Sequence, residues 1–370
     1  MQYNTLGDTG LVVSRLAYGV MTFGTGELVG GVKNATEQKE ADQLIDMCLD
    51  AGVNLFDTAD MYQFGQTEEM LGRALGSRRG DVIISTKVGF RNTSKLLDFG
   101  LSYRRIHQAV DASLKRLGSD WIDIYQVHIT DAITPIEETA RALEDLVRIG
   151  KVRYVGFSNW PAWRAARLLA IQERNGWQPI KAAQLLYSLV QRDFEQELAG
   201  FVEDAGIGVL VYSPLAFGLL SGKYSRSAPA PEGSRLGQQA SPTPLFDLDL
   251  TYAAVDLLRN IAEGHDATVA QVALAWLLTR PLVSSILVGA TTPDQLENNL
   301  KAADLVLTQH EIDQLDRLTE PKLIYPNSVI RHMGLDPMIR GKLTGSHHEV
   351  AAGWGAPSPA NLPDKAKDLR

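Results

Sequence analysis

Apolar residues recur along this chain in two alternating rhythms. Short runs such as "LAYGV", "VNLFD", "DVIISTK" and "WIDIYQVH" are apolar on both faces. Longer segments between them return an apolar residue every three to four positions. The first rhythm is that of a strand covered on both sides, the second that of an amphipathic helix. Strands are predicted at residues 16–20, 53–57, 81–87 and 121–128, and helices at 37–51, 67–75, 103–117 and 136–149. The second half continues with strands in "VRYVGFSN", "KAAQLLY", "IGVLVYSP" and "VSSILVG", and with helices at 162–174, 195–205, 267–279 and 294–303. "DAGV", "RLGSD", "RIGKV" and "DAGIG" place a glycine just past the helix ends, where a left-handed residue is needed.

Eight strand–helix units predict an α/β chain folded as a (β/α)8 TIM barrel. An open Rossmann-like sheet would need G-x-G-x-x-G directly after the first strand; "FGTGELVGG" does not fit and reads as a loop. The opening "MQYNTLGDTGLVVSRL" reads as a hairpin turning at Gly7 and Asp8, placed to plug the barrel bottom. Residues 1–320 are expected to form one catalytic barrel domain, with a long loop at 213–244. Residues 321–370 form a C-terminal extension, a candidate cover for the barrel mouth, with an end poor in bulky apolar residues and expected to be mobile.

Composition narrows the function. The chain has 370 residues, 45% hydrophobic and 22% charged, as a soluble globular protein does. Its net charge of -8 is spread without a basic stripe, which argues against nucleic acid as a partner. No apolar run reaches the ~20 residues of a membrane helix, and the first residues lack a signal peptide's apolar core, so a cytoplasmic protein is expected. The single cysteine, Cys48, excludes an internal disulfide and a cysteine zinc site, and its place in "LIDMCLDAG" predicts a core residue. His347 and His348 have no further ligands at suitable spacing, and no metal is expected.

In this fold, chemistry sits where strands end. The polar residues there are Asp57, Lys87, His128, Ser158, Asn159, Gln184 and Tyr212, with Tyr62 in the loop after Asp57. Asp57 and Lys87 end neighbouring strands, and each makes burial of the other tolerable. A phenol ionises near pH 10, and the Lys87 cation is expected to lower Tyr62 toward neutrality. Tyr62 would then give or take a proton, with His128 as a second hydrogen bonder at the same oxygen.

The stretches "NLFDTADMYQFGQTEEMLGRAL", "VIISTKVG", "DIYQVHITD", "YVGFSNW", "AAQLLYSL", "VYSPLAFGLLSGKY" and "ILVGATTPDQLENNL" together resemble the aldo-keto reductases over about residues 1–319. The loop with "SPLAFGLLSGKY" is most similar to the aryl-alcohol dehydrogenase-like and potassium-channel-beta-subunit-like branch. The resemblance implies NADP(H) bound to a barrel, and Asp57, Tyr62, Lys87 and His128 as a catalytic tetrad. Tyr62 would be the general acid for carbonyl reduction, Lys87 held by Asp57 would tune it, and His128 would orient the carbonyl. Hydride would pass from the nicotinamide directly to the carbonyl carbon, and the same parts would run alcohol oxidation in reverse.

The resemblance also implies a cofactor site. Ser158, Asn159 and Gln184 would bond the carboxamide, Tyr212 would stack on the ring, and Met21 and Asp57 would border it. Ser213, Pro214, Leu215 and Gly218 would straddle the pyrophosphate, with Lys223 and Arg235 supplying charge. Gly289, Thr291, Gln295 and Asn299 would hold the adenosine end, at a helix start that can receive phosphate and that Thr291 or Thr292 would cap. No cation lies between Gly289 and Gln295, where relatives often carry one, so NAD(H) stands beside NADP(H) as the expected cofactor.

Phe23, Phe64, Phe90 and Trp160 are candidates for an apolar substrate wall, as is Met21 beside the cofactor; Trp121, at the start of its strand, reads as structural. The expected substrate is an aldehyde or ketone, bulky and aromatic or polycyclic, or the matching alcohol. The alternatives are a cofactor-binding regulatory subunit and, more remotely, a metal-dependent barrel hydrolase. Oligomeric state and reaction direction are left open.

Overall fold

The protein is described from a computed structural model at residues 1–26, 36–226, 228–231, 234–238 and 245–333. Ten strands appear among these residues: β1 Tyr3–Thr5, β2 Val12–Ser14, β3 Leu16–Gly19, β4 Leu55–Asp57, β5 Ile83–Val88, β6 Ile122–Val127, β7 Val152–Ser158, β8 Ile180–Leu186, β9 Gly208–Tyr212 and β10 Val283–Val288. The last eight close into a parallel barrel in the order β10-β3-β4-β5-β6-β7-β8-β9. Closure removes every sheet edge, and helices cover the outside, so the apolar runs are buried on both faces.

The helices are α1 Gln38–Asp50, α2 Gln66–Leu75, α3 Tyr103–Leu117, α4 Ile136–Arg148, α5 Ala162–Asn175, α6 Leu198–Asp204, α7 Arg235–Gln238, α8 Leu248–Gly264, α9 Val269–Leu278, α10 Pro293–Leu300, α11 Gln309–Leu318 and α12 Asn327–Met333. Those expected from periodicity fall within a few residues of their places. Residues 195–205 differ, because a 3-10 turn at Asp193–Gln196 precedes a shorter α6. Among the described residues α7, α8 and α11 lie outside the expected pattern. Asp247 caps α8 by accepting from the backbone of Asp249 and Leu250, and a Thr268–Gln271 capping box then starts α9, so α7, α8 and α9 all lie between β9 and β10. Thr308 and Glu311 form another capping box for α11.

β1 and β2 pair antiparallel, but their connection spans residues 6–11 rather than a tight two-residue turn. The hairpin closes the N-terminal end of the barrel: Leu6 and Val13 pack with Ala17, Leu55, Ile83, Ile124, Ala182, Leu210 and Leu287. The fit is close at Gly7, where an added Cβ would stand 2.3 Å from the Gly206 carbonyl oxygen. Cys48 is fully buried in the main core, as expected. With its bottom plugged and its interior filled, the barrel is open to chemistry only at its C-terminal rim.

Of the extension, residues 321–333 are described. The Gln196 side chain donates to the Lys322 carbonyl (3.2 Å) and accepts from the Ile324 N–H (3.4 Å). The part of the expected cover that is described, at residues 321–333, ends in α12; its remainder and the pair His347–His348 lie outside the described residues. No helix of the described residues is long and apolar enough to cross a membrane, and no group of three or more His, Cys, Asp or Glu among them is placed to hold a metal ion.

Candidate active site

β4, β5 and β6 end side by side, with Asp57 opposite Ser85 and Lys87 opposite Gln126. Side chains alternate along a strand. Ser85 and Lys87 therefore share the barrel interior, while Thr86 faces outward and donates to Glu68 (2.6 Å). The Lys87 side chain is fully buried. Its ammonium donates to Asp57 Oδ2 (2.6 Å) and the Thr58 carbonyl (2.6 Å). It also lies 5.2 Å from the centre of the Tyr62 ring. Asp57 Oδ1 accepts from Ser85 (2.8 Å) and Gln184 (2.7 Å), and Gln126 donates to the Ser85 hydroxyl (2.7 Å). This satisfies a carboxylate that would be costly if buried alone.

Tyr62 begins the 3-10 turn Tyr62–Gly65 directly after β4. Gln63, Phe64 and Gly65 take left-handed φ values of 47°, 54° and 96°. The two non-glycine residues cost on the order of 1–3 kcal/mol each in that region. The turn keeps the Tyr62 ring over Lys87 while letting α2 start at Gln66. The Tyr62 N–H donates to the Ala59 carbonyl (3.2 Å), and the Tyr62 carbonyl accepts from the Thr67 hydroxyl (3.3 Å). His128 meets the Tyr62 ring edge to face at 5.8 Å. Its backbone N–H donates to the Val88 carbonyl (2.8 Å), and its Nδ1 is buried without a hydrogen-bond partner.

Burial dominates the electrostatics. It raises the Tyr62 phenol above its ordinary value, outweighing Lys87, which pulls it down. This corrects the expectation of a phenol tuned toward neutrality: loss of solvent around the hydroxyl favours the neutral form more than one cation favours the anion. Lys87 is itself held above its usual range. Burial works downward on it, but Asp57 and Tyr62 together prevail. Burial, then Lys87, drives His128 well below its usual value, so it is a neutral imidazole. Burial and then Tyr62 push Tyr212 up to about 12.

The residues assigned to a cofactor fall in one arc of the rim. Ser158 ends β7, and Asn159 follows in a left-handed conformation, φ 54°. The Asn159 amide donates to the His128 carbonyl (3.1 Å) and to Ser158 Oγ (2.9 Å), and its oxygen accepts from the Tyr212 hydroxyl (2.8 Å). Gln184 is turned inward to Asp57, so in this structure its Nε2 supports the carboxylate. After β9 the chain coils tightly: Ser213, Ala216, Phe217 and Gly218 all have positive φ. Pro214 and Leu215 lie within this coil. An added Cβ on Gly218 would stand 3.7 Å from Lys223 Nζ, and the Arg235 guanidinium lies 4.3 Å from the centre of the Phe217 ring. Two cations therefore flank one coil. Beyond β10, Asn299 donates to the Gly289 carbonyl (3.2 Å), Gln295 accepts from Thr291, and Thr292 caps α10. Met21 is half-buried at the rim.

The four substrate-wall candidates divide. Phe90 stands edge-on to His128 at 4.7 Å, and Phe64 is 76% exposed. Phe23 is fully buried against Tyr18, and Trp160 is 2% exposed against Phe157. Both belong to the main hydrophobic core, so neither offers an open face to the barrel mouth. Sequence reading missed Ser85 and Gln126. Their signal was parity: each lies two residues before a strand-end residue already singled out.

The model of the Aldo/keto reductase family matches residues 15–320. A probable voltage-gated potassium channel subunit beta of Oryza sativa subsp. japonica is 37% identical over 330 residues, 87% of this chain and 98% of that protein. Versiconal hemiacetal acetate reductase of Aspergillus parasiticus is 35% identical over 346 residues, 88% and 99% of the two chains. Protein tas of Escherichia coli is 34% identical over 346 residues, 85% and 97%. A closed barrel with a buried lysine–aspartate pair beside a half-buried tyrosine at its rim and a family match over most of its length lead to one conclusion: the chain belongs to the aldo/keto reductase family.

Proposed function

We propose that this protein is an NADP(H)-dependent oxidoreductase that reduces aldehydes or ketones and oxidises the matching alcohols, with Tyr62 as proton donor and acceptor. The observation that carries the reading is the Lys87 ammonium, fully buried, bonded to Asp57 and Thr58 and 5.2 Å from the centre of the Tyr62 ring. A buried cation on a phenol stabilises negative charge there as the proton leaves.

The chain's own groups suit a dinucleotide. Arg235 Nε is buried without a hydrogen-bond partner, and neither Arg235 nor Lys223 pairs with a carboxylate among the described residues. Beside the coil at 213–218 they offer charge to a diphosphate. The Ser158 hydroxyl accepts from Asn159 and keeps its own hydrogen for an outside acceptor. When bound, the nicotinamide would supply or receive the hydride. His128, neutral and with an unpaired nitrogen, would hydrogen-bond the substrate oxygen. Tyr62 would deliver its proton to that oxygen on reduction and remove it on oxidation. Phe90, beside His128, supports a preference for aromatic carbonyls.

Relatives named as channel beta subunits favour a second reading, a cofactor-binding protein with little turnover. A carbonyl and alcohol panel with NADPH and NADH separates the two. Turnover of bulky aromatic carbonyls, faster with NADPH, is the expected result. Cofactor binding without turnover of any carbonyl would favour the second reading.

A further inference from the structure

Between Asp57 and Tyr62 stands another buried acid, Asp60, 1% exposed. Its N–H donates to the Lys87 carbonyl (3.1 Å), which hooks the Tyr62 turn onto the end of β5. Its carboxylate meets Arg105 Nη2 at 2.6 Å. Arg105 lies in the first turn of α3, and its N–H donates to the capping Ser102 (3.3 Å). A second carboxylate, Asp98 Oδ1, lies 3.1 Å from Nε of the same guanidinium, an ion pair by proximity without the alignment of a hydrogen bond. Asp98 belongs to the loop between β5 and α3. That loop begins at Gly89 and Phe90, and its ends are tied by the Gly100 N–H donating to the Gly89 carbonyl (3.0 Å). One buried side chain therefore spans the turn that carries Tyr62 and the loop that carries Phe90.

The pairing has a direction. Asp60 is fixed by the barrel, whereas the Asp98 side chain is 21% exposed and sits on a loop with outward Leu96 and Leu97. The loop is thus the partner that the guanidinium holds in place. Its neighbours in the interior are already committed: Glu68 accepts from Thr86 and Arg116.

We propose that Arg105 is a positioning residue for substrate selection, setting the distance between the Phe90 loop and the Tyr62 turn and so the width of the carbonyl's approach. This rests on the reading of Tyr62 as proton donor. Arginine suits the task because its planar fork serves two carboxylates at once, which a lysine's single ammonium does less well. Misplacement of a binding wall by about 1 Å changes rates severalfold to a hundredfold.

The test uses the full chain. Asp98→Asn weakens only the loop half at a partly exposed position, so the barrel should fold. Arg105→Lys keeps one charge but shortens the span. Both variants are expected to raise KM for a bulky aromatic aldehyde on the order of tenfold, with KM for a small aliphatic aldehyde and the affinity for NADPH, read by fluorescence titration, within about twofold. Hydrogen exchange at residues 90–100 should quicken in both. A loss of stability with unchanged relative KM values and unchanged exchange in that loop would overturn the proposal. Tyr62→Phe serves as the separate control. If it keeps full turnover, the reading of Tyr62 falls, while the exchange result still reports whether Arg105 holds the loop.

Discussion

Lys87 Nζ lies 2.6 Å from Asp57 Oδ2, and the two carry the site because neither tolerates burial without the other. Lys87→Met leaves Asp57 with only its neutral donors, Ser85 and Gln184. We expect a loss of ~3–5 kcal/mol of stability, measured by urea denaturation, together with loss of turnover. A variant with near-native stability and activity would show that the ion pair supports neither.

Tyr62→Phe removes the hydroxyl but keeps the ring that faces Lys87 and His128. Turnover of a preferred aldehyde should fall on the order of 10²–10⁴-fold, with NADPH affinity unchanged within about twofold. Near-normal rates in steady-state assays would remove Tyr62 from the role of acid.

Because burial raises Tyr62, the phenol stays protonated through neutral and mildly alkaline pH. Reduction uses that protonated form and should vary little between pH 6 and 9. Alcohol oxidation needs the phenolate, so its kcat/KM should rise with pH across about the same range and onward toward pH 10. An oxidation profile that is flat over this range would contradict the raised phenol. His128 is already neutral, so no activity should be lost by its deprotonation near pH 6.5.

Asp60 makes a second pH prediction. Burial pushes its carboxyl up to about 7 against the pull of Arg105, and Glu68 adds to the push while Arg116 opposes it. In the unfolded chain an aspartate titrates near 3.9. Between about pH 4 and 7 the folded protein therefore holds a proton that the unfolded chain has released. This contribution to stability is complete below about pH 4 and is lost as pH rises through 7, by up to ~1.4 kcal/mol per unit. Asp60→Asn removes the titration. The melting temperature of the parent relative to that variant should fall between pH 5 and 8, and a constant difference would refute the raised carboxyl.

Lys223 and Arg235 flank the coil at 213–218 without carboxylate partners among the described residues. Replacing both with Ala should weaken NADPH binding on the order of 10²–10⁴-fold, each lost charge-assisted contact removing ~1.5–3 kcal/mol. It should also flatten the dependence of binding on salt. Isothermal titration at two ionic strengths measures both effects, and unchanged affinity would move the phosphates elsewhere.

The sequence alone determined the eightfold alternation and which residues end each strand. Period-2 and period-3.6 patterns are local, and each helix carries its own stop. Asp57, Lys87 and His128 were legible because a polar residue at the end of an apolar run stands out, and Tyr62 because it follows one closely. Tertiary structure decided what those residues meet. Ser85 and Gln126 became part of the Asp57 network only when neighbouring strands set their register. Gln184 turned to Asp57 across 127 positions of chain, and Phe23 and Trp160 went into the core because packing between layers selects a ring's direction. The sign of the Tyr62 shift was equally hidden: a cation can be read from sequence, but the desolvation that outweighs it exists only once the barrel has closed.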